Sequence, residues 1–388
     1  MIPRARHFVA AALSSALLML PVFAGAFTGI AHAATTGKAA AGRVLTIPLA
    51  KTVADVKRVA DYWKPERLKK ADLYAPATPG SAQKPSAAPA AATPAASATA
   101  NVATAVTKRT SAATAAAPVA PVPPRKATTG RTMGKVFFLV GDKEYWCSAS
   151  SVAARNRSVV ATAGHCAYDA RQNKPADYWI FIPNPGPNGE TPDGVYVGAA
   201  ISMHEDWGKV DYDYDYAFVT VHRGYTWAPA RNGTHEMKDV GRLQDNVGGL
   251  GLELNKKPGT YAVTPFGYPA GAQPDSTKPF DGTKLRHCPQ SPTRWSTKAP
   301  AYDLQKGVMV QPCDFTAGAS GGPWVVGYDE TRRLGSLSGV NSLTWDTDVR
   351  GHNDAVSTAY FDTITGEVYR HAASLNTITS VTQVIATN

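Results

Sequence analysis

Short apolar runs separated by turns dominate the chain from residue 131 onward. The runs are rich in β-branched and aromatic residues and are bounded by clusters of Gly, Pro, Asn and Asp, a pattern typical of β-strands. They lie at 136–140, 159–163, 178–182, 216–221, 323–326 and 334–340. Helical signals are scarce in this part of the chain until 366–375. Because no helices alternate with the strands, the pattern predicts an all-β barrel or sandwich and argues against a doubly wound sheet.

Residues 1–33 have the pattern of a signal peptide. Met1–Arg6 carries two positive charges, Phe8–Phe27 is almost wholly apolar or small, and Ala31 and Ala33 are the small residues that a signal peptidase requires. A retained membrane anchor is the alternative, which the serines and proline of the apolar run weaken. We therefore expect a secreted protein without stable membrane insertion after cleavage.

Residues 34–74 contain one helical pattern, in which apolar residues recur every three or four positions from Val53 to Trp63. Pro65 is expected to end this helix. Neighbouring Lys and Arg residues give it a basic face, which we interpret as the solvated face of a pro-segment, with cell-wall or membrane contact as the alternative.

Residues 75–126 are predicted to be an extended linker, because the stretch is rich in Ala and Pro and contains no aromatic or acidic residue. The segment before the linker is therefore expected to be a pro-region or tether and not a piece of the core.

The formal charge of +10 lies almost wholly in the N-terminal part of the chain. Residues 1–33 contribute +2, residues 34–126 contribute +10, and residues 127–388 contribute −2. The part with the strand pattern therefore has no electrostatic footprint for nucleic acid, and we expect no nucleic-acid partner. The whole chain is 44% hydrophobic, which permits a globular core, and its four cysteines are an even number, as two disulfides formed outside the cell would need.

Three sequence elements carry residues for nucleophilic catalysis, in the order His, Asp, Ser. They are Thr-Ala-Gly-His-Cys at Thr162–Cys166, Asp215 before an apolar run, and Gly-Ala-Ser-Gly-Gly-Pro at Gly318–Pro323. Acyl transfer needs a hydroxyl, an imidazole that removes its proton, and a carboxylate that orients the imidazole. The glycines around Ser320 allow a tight bend, in which the N–H groups of Gly318 and Ser320 can converge on an oxyanion.

The identity of the acidic residue is less certain from spacing alone. Asp211 and Asp213 precede Asp215 at intervals of two, which would place all three carboxylates on one side of an extended strand. We favour Asp215 because the apolar run begins directly after it, and a cation site formed by the three carboxylates is the alternative. The cysteines lack zinc-ligand spacing and no nucleotide-binding loop is present, so we expect neither a metal nor an organic cofactor.

These motifs resemble those of the chymotrypsin-fold, trypsin-like serine proteases, in particular the bacterial secreted branch that includes glutamyl endopeptidases and actinobacterial trypsin-like peptidases. The resemblance covers roughly 131–375 of a protease domain at 127–388. It implies two antiparallel six-stranded β-barrels that divide near residue 235 and are followed by a short C-terminal helix. It also implies a secreted, monomeric endopeptidase that acts on proteins or peptides, with His165 as general base, Asp215 as orienting carboxylate and Ser320 as nucleophile.

The resemblance further implies two disulfides, Cys147–Cys166 beside the histidine and Cys288–Cys313 in the second barrel. Ala319 stands where trypsin-like zymogens carry an Asp that pairs with a new N-terminus. We therefore expect that removal of the pro-region relieves a block and does not build the oxyanion hole.

The substrate pocket is the least determined feature. Asp314 lies six residues before Ser320, the offset of the acidic pocket base in trypsin-type enzymes, which implies cleavage after Lys or Arg. Glutamyl endopeptidases carry a His where Asn341 stands here, so an acidic preference loses a recognition group. Ser342 is expected to be a fourth member of the site. A catalytically silent protease fold used for binding, or a peptidase with an acidic or apolar preference, is the alternative.

Overall fold

The structure is a computed structural model that describes residues 44–74, 131–229, 235–296 and 298–377. The signal peptide and the linker predicted above lie outside these residues. Before the linker the chain forms β1 (Val44–Pro48), α1 (Val53–Tyr62), α2 (Pro65–Lys70) and β2 (Asp72–Leu73). The expected helix is thus confirmed as α1, and Pro65 begins a second, short helix.

The first strands after the linker close into a six-stranded antiparallel barrel. Its strands are β3 (Met133–Val140), β4 (Lys143–Val152), β5 (Val159–Thr162), β8 (Asp177–Pro183), β9 (Tyr196–His204) and β10 (Ala217–Val221), with a small hairpin of β6 (Tyr168–Asp169) and β7 (Lys174–Pro175). Hydrogen bonding runs in the order β3, β4, β5, β10, β9, β8 and returns to β3. The barrel is filled by side chains such as Phe138, Phe181 and Phe218, each fully buried.

Two barrel strands, β4 and β9, are not among the apolar runs of the sequence. β4 is rich in serine, and Ser148, Ser150 and Ser151 are nevertheless almost fully buried. Their small side chains fit where other elements approach the barrel, and the hydroxyls of Ser148 and Ser151 donate hydrogen bonds to the carbonyls of Gly318 and Gly248. Buried polar strands of this kind escape a search for apolar runs.

A hairpin and a short helix connect the two halves, and the expected division near residue 235 falls within the hairpin. The elements are β11 (Gly224–Pro229), β12 (His235–Gly241), α3 (Leu243–Val247), β13 (Gly251–Leu252), β14 (Ala262–Gly267), β15 (Arg286–His287), β16 (Ser291–Pro292), β17 (Arg294–Trp295), β18 (Val308–Val310), β19 (Pro323–Asp329), β20 (Leu334–Val340), β21 (Leu343–Trp345) and β22 (Ala355–Thr358). The second half contains two sheets. The first has the strand order β13, β20, β19, β14, β15, with β16 also paired to β14, and the second has the order β17, β18, β22, β21.

The two sheets of the second half share one apolar core, which includes Val263, Val310, Phe315, Trp324 and Val356. The all-β fold with two barrels is therefore confirmed, and the second barrel is assembled from two sheets packed around that core. Both predicted disulfides are present, with Cα atoms 6.1 Å apart in one and 5.2 Å apart in the other.

The C-terminal helix α4 (Thr363–Ser374) returns to the first barrel. Asp362 caps its N-terminus by accepting hydrogen bonds from the N–H groups of Ile364 and Thr365, which starts the helix three residues before the predicted position. The Tyr369 ring packs edge-on against Phe218, with centroids 5.5 Å apart. The helix thus links the chain end to the barrel that carries the histidine motif.

The segment before the linker packs on the first barrel, which corrects the expectation that it is no piece of the core. β1 pairs antiparallel with β9 and extends its sheet. Val56 and Trp63 of this segment are at most 1% exposed, and the Trp63 Nε1–H donates to the carbonyl of Tyr178 at 2.6 Å. The physical reason is the apolar stripe of α1, which must be covered, and the outer barrel residues Phe137 and Ile180 belong to the same apolar cluster.

Part of the basic face of this segment is also in contact with the barrel region and is not simply solvated. Arg67 forms an ion pair with Glu144 at 2.5 Å, and the Lys64 ammonium lies 3.8 Å from the centroid of the Trp227 ring.

Within the described residues, no helix combines the length and apolarity needed to cross a bilayer.

Candidate active site

His165 lies at the end of β5, where the strand gives way to a 3-10 turn at Gly164–Cys166. The turn changes the chain direction and brings the imidazole to the rim of the first barrel. The disulfide between Cys166 and Cys147 ties the turn to the adjacent strand β4. The histidine side chain is only 2% exposed. Its ring is therefore held between covalently and sterically restrained neighbours.

Asp215 is the carboxylate that meets this histidine. It is fully buried, and its Oδ1 accepts the backbone N–H of His165 at 2.9 Å, while its Oδ2 lies 2.9 Å from the histidine Nδ1. The Ser342 hydroxyl donates to the same Oδ2 at 2.5 Å. A carboxylate beside Nδ1 favours the tautomer with the proton on Nδ1, which leaves Nε2 free to accept a proton.

Asp211 and Asp213 do not join Asp215, because the segment is not the extended strand that the alternating sequence suggested. Tyr212–Tyr214 is a 3-10 turn, and it directs successive carboxylates to different places. Asp213 accepts the backbone N–H groups of Gln305 and Lys306, whereas Asp211 accepts the N–H of Asp213 at 2.9 Å. The three carboxylates are thus engaged separately and do not form a shared cation site.

Ser320 lies in a turn that is locked onto the first barrel. Its carbonyl accepts the N–H of Ser148 of β4 at 2.8 Å. The next residue, Gly321, has a φ of +79°, and a Cβ there would collide with the Thr162 hydroxyl and the Ser148 carbonyl. Because Thr162 is three residues before His165, this contact brings the serine turn to the histidine turn across the two barrels.

The N–H groups of Gly318 and Ser320 make no hydrogen bond to the described residues. Gly318 has a φ of +96°. The intervening Ala319 is 1% exposed, and its carbonyl accepts hydrogen bonds from the N–H of Gly322 at 3.0 Å and from the Asn341 amide at 2.9 Å. The turn is therefore held in shape by neutral hydrogen bonds.

Two of the predicted pocket residues have other positions than expected. The Asp314 side chain is exposed, whereas its neighbours Cys313 and Phe315 are buried. The Asn341 amide is 2% exposed and bonds to Trp324, Phe266 and Ala319, so it supports the serine turn from behind. Ser342, in contrast, lies in the site through its bond to Asp215.

Two residues that the sequence analysis missed surround the histidine ring. Tyr74, from the segment before the linker, stacks on the imidazole with centroids 6.1 Å apart and planes inclined by 23°. Trp207 lies on a 3-10 turn after β9, with its ring centroid 6.5 Å from that of His165. Neither belongs to a recognisable motif, because both reach the site only through tertiary packing.

The cysteine sulfurs beside His165 are not metal ligands in this structure. Cys147, His165 and Cys166 place potential ligand atoms within 4.8 Å of one another. The two sulfurs are bonded to each other, however, and a disulfide offers no thiolate to a metal ion.

The fold is that of a serine-type endopeptidase, a hydrolase of the chymotrypsin fold. The chain belongs to the trypsin family, since the family model described as Trypsin matches residues 124–363. A search of curated proteins finds no match.

Solved structures similar to this chain include two proteases. The thermostable serine protease AL20 from an extremophilic microorganism is 27% identical, with 64% of this chain and 100% of that chain covered and a TM-score of 0.51. Protease Anisep from Arthrobacter nicotinovorans is 29% identical, with 64% and 98% of the two chains covered and a TM-score of 0.50.

Proposed function

We propose that this chain is a secreted endopeptidase that hydrolyses peptide bonds through His165, Asp215 and Ser320. The observation that carries the proposal is the fully buried Asp215, which holds both the backbone N–H and the ring Nδ1 of His165. This arrangement leaves the histidine Nε2 as the base. Secretion is supported by the signal-peptide pattern and by two disulfides, which persist in oxidising compartments.

The reaction begins when Nε2 of His165 takes the proton of the Ser320 hydroxyl and the oxygen attacks the substrate carbonyl carbon. The N–H groups of Gly318 and Ser320 then stabilise the tetrahedral oxyanion. The C–N bond breaks as the histidine returns the proton to the leaving amine, and an acyl-enzyme remains. Water, deprotonated by the same nitrogen, attacks the ester and releases the acid, with the proton passing back to Ser320.

The side-chain preference at the scissile bond is proposed to be for an uncharged residue. Asp314 is exposed to solvent and does not form the base of a closed pocket, so it gives no reason to expect cleavage after Lys or Arg. The residues packed against the turn that carries Ser320 are apolar, since Phe315, Ala319 and Val356 belong to one buried cluster. Asn341 is fully used in structural hydrogen bonds and offers no cation to an acidic residue.

The test is cleavage of a defined peptide mixture by the purified protein freed of residues 34–126, with the cut sites identified by mass spectrometry. Ser320→Ala is expected to lower kcat by about 10⁶-fold, because the nucleophile is lost. Ser336→Ala, a substitution on β20 outside the site, serves as the matched control and should retain activity. Equal turnover by wild type and Ser320→Ala would refute the mechanism, whereas cuts after Lys or Arg would refute only the proposed preference.

The second candidate is a protease fold that binds without catalysis. Covalent labelling of Ser320 by a fluorophosphonate separates the two, because the reagent requires an activated serine. Labelling of wild type and its absence in Ser320→Ala would support the enzyme.

A further inference from the structure

The last described residues before the linker lie in the catalytic cleft. β2 pairs in parallel with Tyr145 and Trp146 of β4, and the N–H of Tyr74 donates to the Trp146 carbonyl at 3.0 Å. The next residue of β4, Cys147, is disulfide-bonded to the residue after His165. Addition of this short strand to β4 therefore delivers Tyr74 to the catalytic histidine.

The Tyr74 side chain fills a site with aromatic rings against its own ring and a carboxylate at its hydroxyl. Its ring lies against Phe138 and Tyr145, with centroid distances of 5.5 and 5.1 Å, and is stacked on the imidazole of His165. Its hydroxyl donates to the buried Asp169 carboxylate at 2.9 Å. With 6% of its surface exposed, Tyr74 is held as firmly as a core residue.

With Tyr74 in place, the ring of His165 makes no hydrogen bond to the Ser320 hydroxyl. Its Nε2, the atom that must receive the Ser320 proton, is buried and has no hydrogen-bond partner among the described residues. A general base must be in reach of the proton it removes, and an unpaired buried nitrogen is unfavourable. The conformation with Tyr74 in place therefore lacks the serine–histidine hydrogen bond that the reaction needs.

We propose that Tyr74 occupies a phenol-binding subsite of the cleft and, by covering His165, holds the uncut chain inactive. The inference rests on the proposed function. Cutting the linker would not release Tyr74 and its segment at once, because α1 and Trp63 remain buried against the barrel. Once the segment leaves, the same subsite is open to an aromatic side chain of a substrate.

The experiment measures the rate at which a fluorophosphonate labels Ser320 in the intact full-length chain, which is separated by mass from any cut product. Tyr74→Ala empties the subsite and is expected to raise the rate roughly tenfold or more, since the reactive state becomes dominant. Tyr74→Phe keeps the ring and loses the bond to Asp169, so a smaller increase is expected. Tyr62→Phe is the matched control, because it loses an equivalent bond to Glu144 without touching the catalytic histidine.

Two outcomes would overturn the proposal in distinguishable ways. Equal labelling of wild type and both Tyr74 variants would refute the inhibitory role of Tyr74 and leave the proposed function standing. Absence of labelling in every protein would refute both the inhibitory role of Tyr74 and the proposed function. Should Tyr74→Ala fail to fold, as judged by its melting curve, the nearly isosteric Tyr74→Phe decides by the same criterion.

A second arm tests the subsite itself. In the Tyr74→Ala chain, N-acetyl-tyrosine amide is expected to slow labelling by competing near the serine, whereas N-acetyl-alanine amide should have little effect. Equal effects of the two amides would overturn the assignment of a phenol-binding subsite.

Discussion

Replacement of Asp215 by Asn tests the central geometry of the site most directly. The carboxylate accepts hydrogen bonds from the backbone N–H and ring Nδ1 of His165 and from the Ser342 hydroxyl. An Asn amide of the same shape has one acceptor and one donor group. If its NH₂ faces Nδ1, the ring must accept there and carry its proton on Nε2, which then cannot take the proton of Ser320.

The magnitude follows from the loss of the correct tautomer. In a trypsin-like triad this substitution lowers kcat by about 10⁴-fold while the fold is retained. Here Asp215 is fully buried, so bulk water cannot substitute for the missing acceptor. We therefore expect a loss of the same order, about 10⁴-fold in kcat, with a small change in KM.

The assay is peptide hydrolysis at saturating substrate by protein freed of residues 34–126, with Asp213→Asn as the matched control. Asp213 is two residues away and accepts the N–H groups of Gln305 and Lys306, so its substitution should leave kcat nearly unchanged. Melting curves verify that both variants fold. Activity of Asp215→Asn within tenfold of wild type, or a large loss only in Asp213→Asn, would show that the wrong carboxylate had been assigned.

Two further substitutions test the serine turn and a perturbed carboxyl. Gly321→Ala should lower kcat about a hundredfold in the same hydrolysis assay, because the positive φ and the contact with Thr162 displace Ser320; unchanged activity would show that the turn is adaptable. Burial raises the pKa of Asp211 from 3.8 to about 6, so stability is lost as pH rises through this interval. Asp211→Asn in the Ser320→Ala background should therefore add about 1 kcal/mol to the free energy of unfolding at pH 7.5 and little at pH 4, measured by thermal melts; an equal gain at both pH values would contradict this origin.

The segment at 44–74 has a larger structural role than its position in the sequence suggested. Its helix stripe, its strand β1 and Trp63 are covered by the barrel. Full burial of a large apolar side chain contributes about 1.5–3 kcal/mol. The burial of several such residues therefore opposes release of the segment from the barrel.

Features that depend on neighbours in the chain were predictable from the sequence. Turn residues around apolar runs marked most strands of the first barrel, and the three-to-four spacing from Val53 to Trp63 marked α1. The histidine and serine motifs were recognisable because a tight turn and an exposed nucleophile require particular residues at adjacent positions. Local backbone chemistry sets these features, so they can be read without knowledge of the fold.

Features that depend on distant residues were decided only by the tertiary structure. The serines of β4 are buried because other elements cover them, the 3-10 turn separates Asp211 and Asp213 from Asp215, and Asp314 is exposed between the buried Cys313 and Phe315. Tyr74 reaches His165 across 91 positions of sequence, through strand pairing and ring packing. Burial and side-chain direction arise from contacts made when the chain is folded, and a local pattern carries no record of those contacts.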